Sequence, residues 1–208
     1  MSELATKREK LLELIRSYGS CAVAFSAGVD STVVAKAAAM ALGEKAVAVT
    51  GVSASLADGE LEEARELARQ IGIRHLELST DELAQPAYAR NAPDRCYHCK
   101  TELFQQIGEL NKRVGAAVTV SGANADDLDD YRPGTQAASE QQVCSPLAEC
   151  GFTKDEVRQL ARQWDLPIWD KPATPCLSSR IAYGEEVTTE RLQMIDRAES
   201  WLREAGME

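Results

Sequence analysis

Short apolar or alternating runs recur along this chain, separated by longer stretches in which apolar residues fall every three or four positions. The runs "SCAVAF" (20–25), "KAVAVTG" (45–51), "IRHLELS" (73–79) and "AAVTVSG" (116–122) read as strands. Between them, "STVVAKAAAMAL" (31–42), "LADGELEEARELARQIG" (56–72) and "CKTELFQQIGELNKRVG" (99–115) carry the helical period, and the last two end on Gly where a helix C-cap belongs. Strands alternating with helices imply parallel pairing. The pattern therefore predicts an α/β fold, a doubly wound parallel sheet with crossovers on both faces and its ligand site outside the carboxyl ends of the strands.

An amphipathic, charged segment, "MSELATKREKLLELIRSYG", predicts a helix before the first strand. Thr153, with Glu156 three residues later, marks a capping box at the start of "TKDEVRQLARQWDL". The Pro-rich "PIWDKPATPCLSSRIAYG" (167–184) reads as a loop crossing into a new element, and "TTERLQMIDRAESWLREAGME" predicts a final amphipathic helix. The expected organisation is a principal domain over 1–170 followed, over 171–208, by the start of a small C-terminal lobe that looks incomplete.

Composition narrows the function classes. With 208 residues, 44% hydrophobic and 27% charged, the chain can bury a substantial core and has no repetitive or disordered tract. No apolar run is long enough to span a bilayer and the N-terminus lacks a signal peptide, so a cytoplasmic protein without membrane partners is expected. The 33 acidic against 23 basic residues, a formal charge of −10, argue against nucleic acid as a partner, because that affinity comes from Lys and Arg neutralising phosphates. A small molecule in a pocket is the easier expectation. In a reducing compartment the six cysteines must be explained by metal, catalysis or packing instead of disulfides; Cys21, inside an apolar run, reads as a small buried hydrophobe.

Two sets of residues carry chemistry. "AFSAGVDST" (24–32) puts a small, flexible loop between a strand and a helix start, where backbone N–H groups and the helix dipole cradle an anion. Asp30 inside such a cradle makes sense if Mg²⁺ bridges it to phosphates; by itself the segment also reads as an ordinary N-cap turn. "SAGVDS" resembles the S-G-G-x-D-S pyrophosphate loop of the ATP pyrophosphatases, with Ala27 where that motif commonly has Gly, so a positive φ there would mean strain. The second set is the thiols. Cys96 and Cys99 form a C-x2-C that supplies two ligands where zinc needs four, and Cys144, Cys150, Cys176 and His98 are the remaining donors. Cys144 and Cys150 are too widely spaced for a second zinc knuckle, and no strand immediately precedes the C-x2-C as in a thioredoxin-type pair. Cys176 in "TPCLSSR", with Arg180 four residues on, reads either as an activated nucleophile or as a buried structural thiol; three thiolates also suit a 4Fe-4S cluster with one iron open to sulfide. "SGANADDLDDYRPG" (121–134) follows the fourth strand, so Asp126 or Asp127 could assist Mg²⁺ or simply belong to a solvated acidic loop.

Taken together, "AFSAGVDST", "DRCYHCKTELF", "GANADDLDDYRPG" and "PCLSSRIAYG", in this order, resemble the LarE family, the pyridinium-3,5-biscarboxylic acid mononucleotide sulfurtransferases of nickel-pincer cofactor synthesis, from about residue 10 onward. The resemblance implies a Rossmann-like PP-loop domain in which ATP adenylates a substrate carboxylate, releasing pyrophosphate, and a sulfur nucleophile then displaces AMP to leave a thiocarboxylate. It assigns ATP binding to Ser26, Gly28, Val29, Asp30 and Ser31, Mg²⁺ to Asp30 with Asp126, and substrate anions to Arg180 and Lys100. Cys176 matches the sulfur-bearing cysteine, which single-cysteine members sacrifice, keeping a dehydroalanine. Members with the additional C-x2-C are similar to cluster-dependent tRNA thiolases, so Cys96, Cys99 and Cys176 are expected to hold a 4Fe-4S cluster carrying an extra sulfide. A nucleotide substrate, a sulfide or persulfide donor and a homo-oligomer are the partners implied, and the family's C-terminal domain normally continues further. The rival readings are another PP-loop enzyme, a tRNA thiolase or amidating synthetase, and a non-catalytic zinc module.

Overall fold

The computed structural model describes residues 2–128 and 133–207, so Asp129 and Asp130 of the acidic loop lie outside the described residues. Strands β1 (Cys21–Ala24), β2 (Ala46–Val52), β3 (Arg74–Ser79) and β4 (Val118–Val120) pair in parallel in the order β3-β2-β1-β4. Cys21 stands opposite Ala46 on one side and Val118 on the other. Beyond β4 the chain returns at Cys144, whose N–H donates to the Thr119 carbonyl at 3.0 Å, adding a short parallel bridge. Helices α1 (Glu3–Ser17), α2 (Val29–Leu42), α3 (Glu60–Ile71), α4 (Pro86–Ala89), α5 (Arg95–Val114), α6 (Pro133–Glu140), α7 (Pro146–Glu149), α8 (Lys154–Gln163) and α9 (Thr189–Glu204) complete the fold. None is long and apolar enough to cross a membrane among the described residues.

The period of two along each strand sorts the layers. Cys21 and Val23 of β1 join Leu11 and Ile15 of α1, Val33 of α2, Leu67 of α3 and Leu160 of α8 in one core, while Ala22 joins Val47 and Val49 of β2 with Phe104 and Ile107 of α5 on the opposite face. Crossovers thus cover both faces, as the alternating pattern predicts. A fully buried Leu or Ile is worth about 1.5–3 kcal/mol, so Leu11 and Ile15, both wholly shielded, are enough to seat α1. A third, smaller cluster of Ala57, Tyr88, Leu177, Ile181, Val187 and Leu192 fastens the C-terminal segment to the rest.

Local chemistry explains most boundaries. Gly72 (φ 79°) and Gly115 (φ 74°) close α3 and α5 in the left-handed conformation that glycine adopts without penalty. The capping box of α8 is formed: the Glu156 N–H donates to Thr153 Oγ1 at 3.3 Å and the Thr153 N–H to Glu156 Oε2 at 2.9 Å. Two helices start elsewhere than periodicity predicts. α3 begins at Glu60, because Gly59 (φ 84°) turns the chain there. α5 begins at Arg95, entered by a turn in which the Arg95 N–H donates to the Ala92 carbonyl at 2.9 Å, so the C-x2-C lies within its first two turns and not in the loop before it.

Candidate active site

The loop from Ser26 to Ser31 leaves β1 at the carboxyl edge of the sheet and enters α2, whose N-cap is Gly28. Ser31 Oγ organises it, donating to the Gly28 carbonyl at 3.1 Å and accepting from the Ser26 N–H at 3.2 Å. Ser26 is exposed, whereas Val29 and Ser31 are buried, so the loop offers Ser26, the Gly28 amide and the α2 N-terminus to a ligand and uses Ser31 for its own shape. Ala27 has φ 58° and is fully buried, so the strain expected of a non-glycine there is present. The chain leaving β4 presses against the same loop. A Cβ on Gly122 would lie 2.7 Å from the Ser31 nitrogen, a backbone contact that cannot give way.

Asp30 is held from two sides. Its Oδ1 accepts from Asn124 Nδ2 at 3.1 Å, and its Oδ2 accepts from Lys154 Nζ in a short ion pair. The same lysine donates its backbone N–H to Asp126 Oδ2 at 2.8 Å, so Asp126 caps α8 while the Lys154 ammonium reaches the phosphate loop. Asn124, itself buried, accepts from the Asp126 N–H at 3.0 Å and donates its own N–H to Asp127 Oδ2 at 3.0 Å. Asp30 and Asp126 are therefore joined through Lys154. Lys154 and Asn124 are the site residues that sequence reasoning missed; "TKDEV" reads as a helix start, and nothing local shows that its lysine folds back onto Asp30.

The cysteines divide into two groups. Cys96 and Cys99, three apart on α5, share one face of the helix. Cys99 is half-buried, and its thiol is pushed up to about 12, chiefly by burial; Glu82, Cys176 and Cys96 act in the same direction and Lys100 opposes them. Cys176 and Cys96 both act on the Cys99 thiol through their charge, which puts the three thiols in one neighbourhood although Cys176 comes from the far end of the chain. Cys96 and Cys176 are exposed. Among the described residues no three Cys, His, Asp or Glu groups converge tightly enough to ligate a single ion. Cys21, Cys144 and Cys150 lie elsewhere: burial raises all three thiols, Cys21 to about 12, and Cys144 and Cys150 sit around Tyr18. His98 stacks edge-on against Tyr97 and meets Asp94 at 3.3 Å.

What holds the Cys176 turn against the start of α5 is a set of buried polar contacts beside Cys176 and Cys96. The Leu177 N–H donates to the Ser55 carbonyl at 3.0 Å. Arg95, adjacent to Cys96 and only 4% exposed, donates from Nη1 to the Ser178 carbonyl at 2.7 Å and to Asn91 Oδ1 at 2.6 Å. Asn91 Nδ2 in turn donates to the carbonyls of Ile181, Ala182 and Glu185. Tyr88 Oη lies 2.7 Å from Ser55 Oγ and 2.6 Å from Ser178 Oγ, and burial pushes the phenol up to about 12, so it stays a protonated hydroxyl. Arg180 donates to Glu199 on α9 at 2.6 Å, to the Cys176 carbonyl at 3.0 Å and to the Pro175 carbonyl. These bonds brace the Cys176 turn. Lys100 stands one residue past Cys99 and contributes a positive charge to it.

The asparagine synthase family model matches residues 12–129. Over 203 residues the chain is 49% identical to an uncharacterized protein of Synechocystis sp., covering 98% of this chain and 76% of that protein. It is 34% identical over 207 residues to the pyridinium-3,5-bisthiocarboxylic acid mononucleotide synthase of Lactiplantibacillus plantarum, covering 99% of this chain and 75% of that one. A tRNA-specific 2-thiouridylase of Beijerinckia indica is 30% identical over 188 residues, which span 72% of this chain and 43% of that enzyme.

Proposed function

We propose, for a chain that belongs to the LarE family of pyridinium mononucleotide sulfurtransferases and carries the asparagine-synthase-type PP-loop domain, that it adenylates a carboxylate of pyridinium-3,5-biscarboxylic acid mononucleotide and converts it to a thiocarboxylate in nickel-pincer cofactor synthesis. In the first step a carboxylate oxygen attacks the α-phosphorus of ATP and pyrophosphate leaves. The Ser26–Ser31 loop receives the phosphates, and the Lys154 ammonium beside Asp30 neutralises charge that builds on the leaving pyrophosphate. Asp30 is the carboxylate through which Mg²⁺ would be held, with Asp126 contributing the oxygen not spent on α8. In the second step a sulfur nucleophile attacks the acyl carbon and the bond to AMP breaks.

The sulfur half is supported by the influence of Cys176 and Cys96 on the Cys99 thiol, which puts the three thiols in one neighbourhood. Three thiols are one short of the four ligands a closed zinc site needs and suit a 4Fe-4S cluster that keeps one position open to sulfide. Cys96, Cys99 and Cys176 would hold a 4Fe-4S cluster, which when bound supplies an open iron for an exogenous sulfide. The chain's own part is to keep the three thiols adjacent, Arg180 bracing the Cys176 turn and Lys100 drawing Cys99 toward its thiolate. A cytoplasmic enzyme using a sulfide donor follows, and its pairing with further copies is part of the same reading.

Anaerobic purification with iron and acid-labile sulfide quantification tests it. About four irons per chain, lost in Cys96→Ala, Cys99→Ala and Cys176→Ala alike, supports the cluster reading. One zinc and no iron, or a single turnover by the Cys96 and Cys99 variants with the intact mass falling by H2S, would overturn it in favour of zinc or of sacrificial transfer from Cys176.

A further inference from the structure

Three buried hydroxyls, from segments far apart in sequence, close on one another beneath the cysteine rim. Ser178 Oγ donates to Ser55 Oγ at 3.1 Å; with Ser55 donating to Tyr88 at 2.7 Å and Tyr88 to Ser178 at 2.6 Å, each hydroxyl donates once and accepts once. Ser178 is fully buried, Tyr88 is 1% exposed and Ser55 4%, so no water competes for these bonds and none is left unmade. The three members belong to the loop after β2, to α4 and to the turn two residues past Cys176. The Ser178 carbonyl is held independently by Arg95, the residue before Cys96. Ser178 is thus tied through its side chain to the loop after β2 and through its backbone to the helix that carries Cys96 and Cys99.

Packing alone needs none of this. Apolar residues at 55 and 178 with Phe at 88 would fill the same space without three polar groups to satisfy, and removing a matched set of buried hydrogen bonds is nearly neutral for stability. What a closed ring adds is direction, since it is satisfied in one arrangement of its three segments and leaves an unmade bond in any other. On the sulfurtransferase reading given above, we propose that the Ser55–Tyr88–Ser178 hydroxyl ring is a positioning device for sulfur transfer: it sets the turn bearing Cys176 against the helix bearing Cys96 and Cys99, and adenylation does not depend on it. Ser55, Tyr88 and Ser178 are positioning residues, acting through Cys176.

The test is Tyr88→Phe, which breaks the ring at one vertex and keeps the aromatic packing, alongside Ser55→Ala, which breaks it at another. The first readout is independent of cofactor and activity: the rate at which dibromobimane links the exposed Cys96 to Cys176, followed by peptide mapping. Each variant should lower that rate about fivefold or more, since removing one hydroxyl breaks two of the ring's three bonds, and the double variant little further, because either change opens the same ring. The second readout separates the half-reactions. Tyr88→Phe should keep the KM for ATP in substrate-dependent ATP–pyrophosphate exchange while kcat for thiocarboxylate formation falls. Cross-linking at the wild-type rate in both single variants, or effects that simply add in the double variant, would overturn the proposal and leave the ring a structural contact. If linking is slowed in the variants but the wild-type protein shows no exchange with the pyridinium substrate, the ring stands and the assigned reaction fails.

Discussion

Ala27 shows how residue-scale terms offset one another at the phosphate loop. Its φ of 58° costs a non-glycine roughly 1–2 kcal/mol, while its fully buried methyl contributes about 0.8 kcal/mol. Ala27→Gly removes both and adds unfolded-state freedom, so urea unfolding should find it within about 0.5 kcal/mol of wild type. Ala27→Val meets a stiffer steric penalty at the same φ and should lose more than about 2 kcal/mol. Cys21 yields a pH prediction. Burial raises its thiol from 9.0 to about 12, so the folded state retains a proton that the unfolded chain releases. The sign follows: its contribution to stability is fully present below pH 9 and is lost as pH rises toward 12. Urea midpoints should fall between pH 8 and pH 10.5, and less steeply in Cys21→Ala; equal slopes would mean that Cys21 is not responsible.

At the scale of elements, the segment after α8 depends on polar contacts as much as on its apolar cluster. The Arg95 and Asn91 side chains donate four bonds to carbonyls within residues 178–185, and both residues are buried. Arg95→Ala leaves the Ser178 carbonyl and Asn91 Oδ1 without their donor, at a cost of about 1–3 kcal/mol. Leu177, Ile181 and Val187, beside these bonds, pack in the small separate cluster, so the loss should be local: faster proteolysis within the exposed 172–176 loop and faster amide exchange over 177–187, with exchange in β1 and β2 unchanged. Uniform acceleration across the chain would refute a separately fastened C-terminal segment.

Across the whole molecule, the site is made of long-range pairs. Lys154 and Asp30 are separated by most of the domain, and their ion pair exists because α8 packs beside α2 on one face of the sheet. Lys154→Met should raise the KM for ATP in the exchange assay by about tenfold or more, the scale of one charge-assisted hydrogen bond, with little change in cysteine cross-linking. An unchanged KM would show that the lysine serves Asp30 alone. The Cys96–Cys99–Cys176 meeting has the same character, since its parts come from α5 and from the turn before α9.

Periodicity and short motifs were enough for the α/β class, the four strands, the phosphate loop with its strained Ala27, the glycine caps of α3 and α5, and the capping box of α8. All of these depend on neighbours within a few residues, and local sterics and hydrogen bonding decide them. The start of α5 upstream of its apolar period, the return of Lys154 to Asp30, the use of Arg180 as a brace, and the hydroxyl ring under Cys176 were not legible. Each needs a partner distant along the chain, and only the packing of helices on the two faces of the sheet determines which buried polar group finds which.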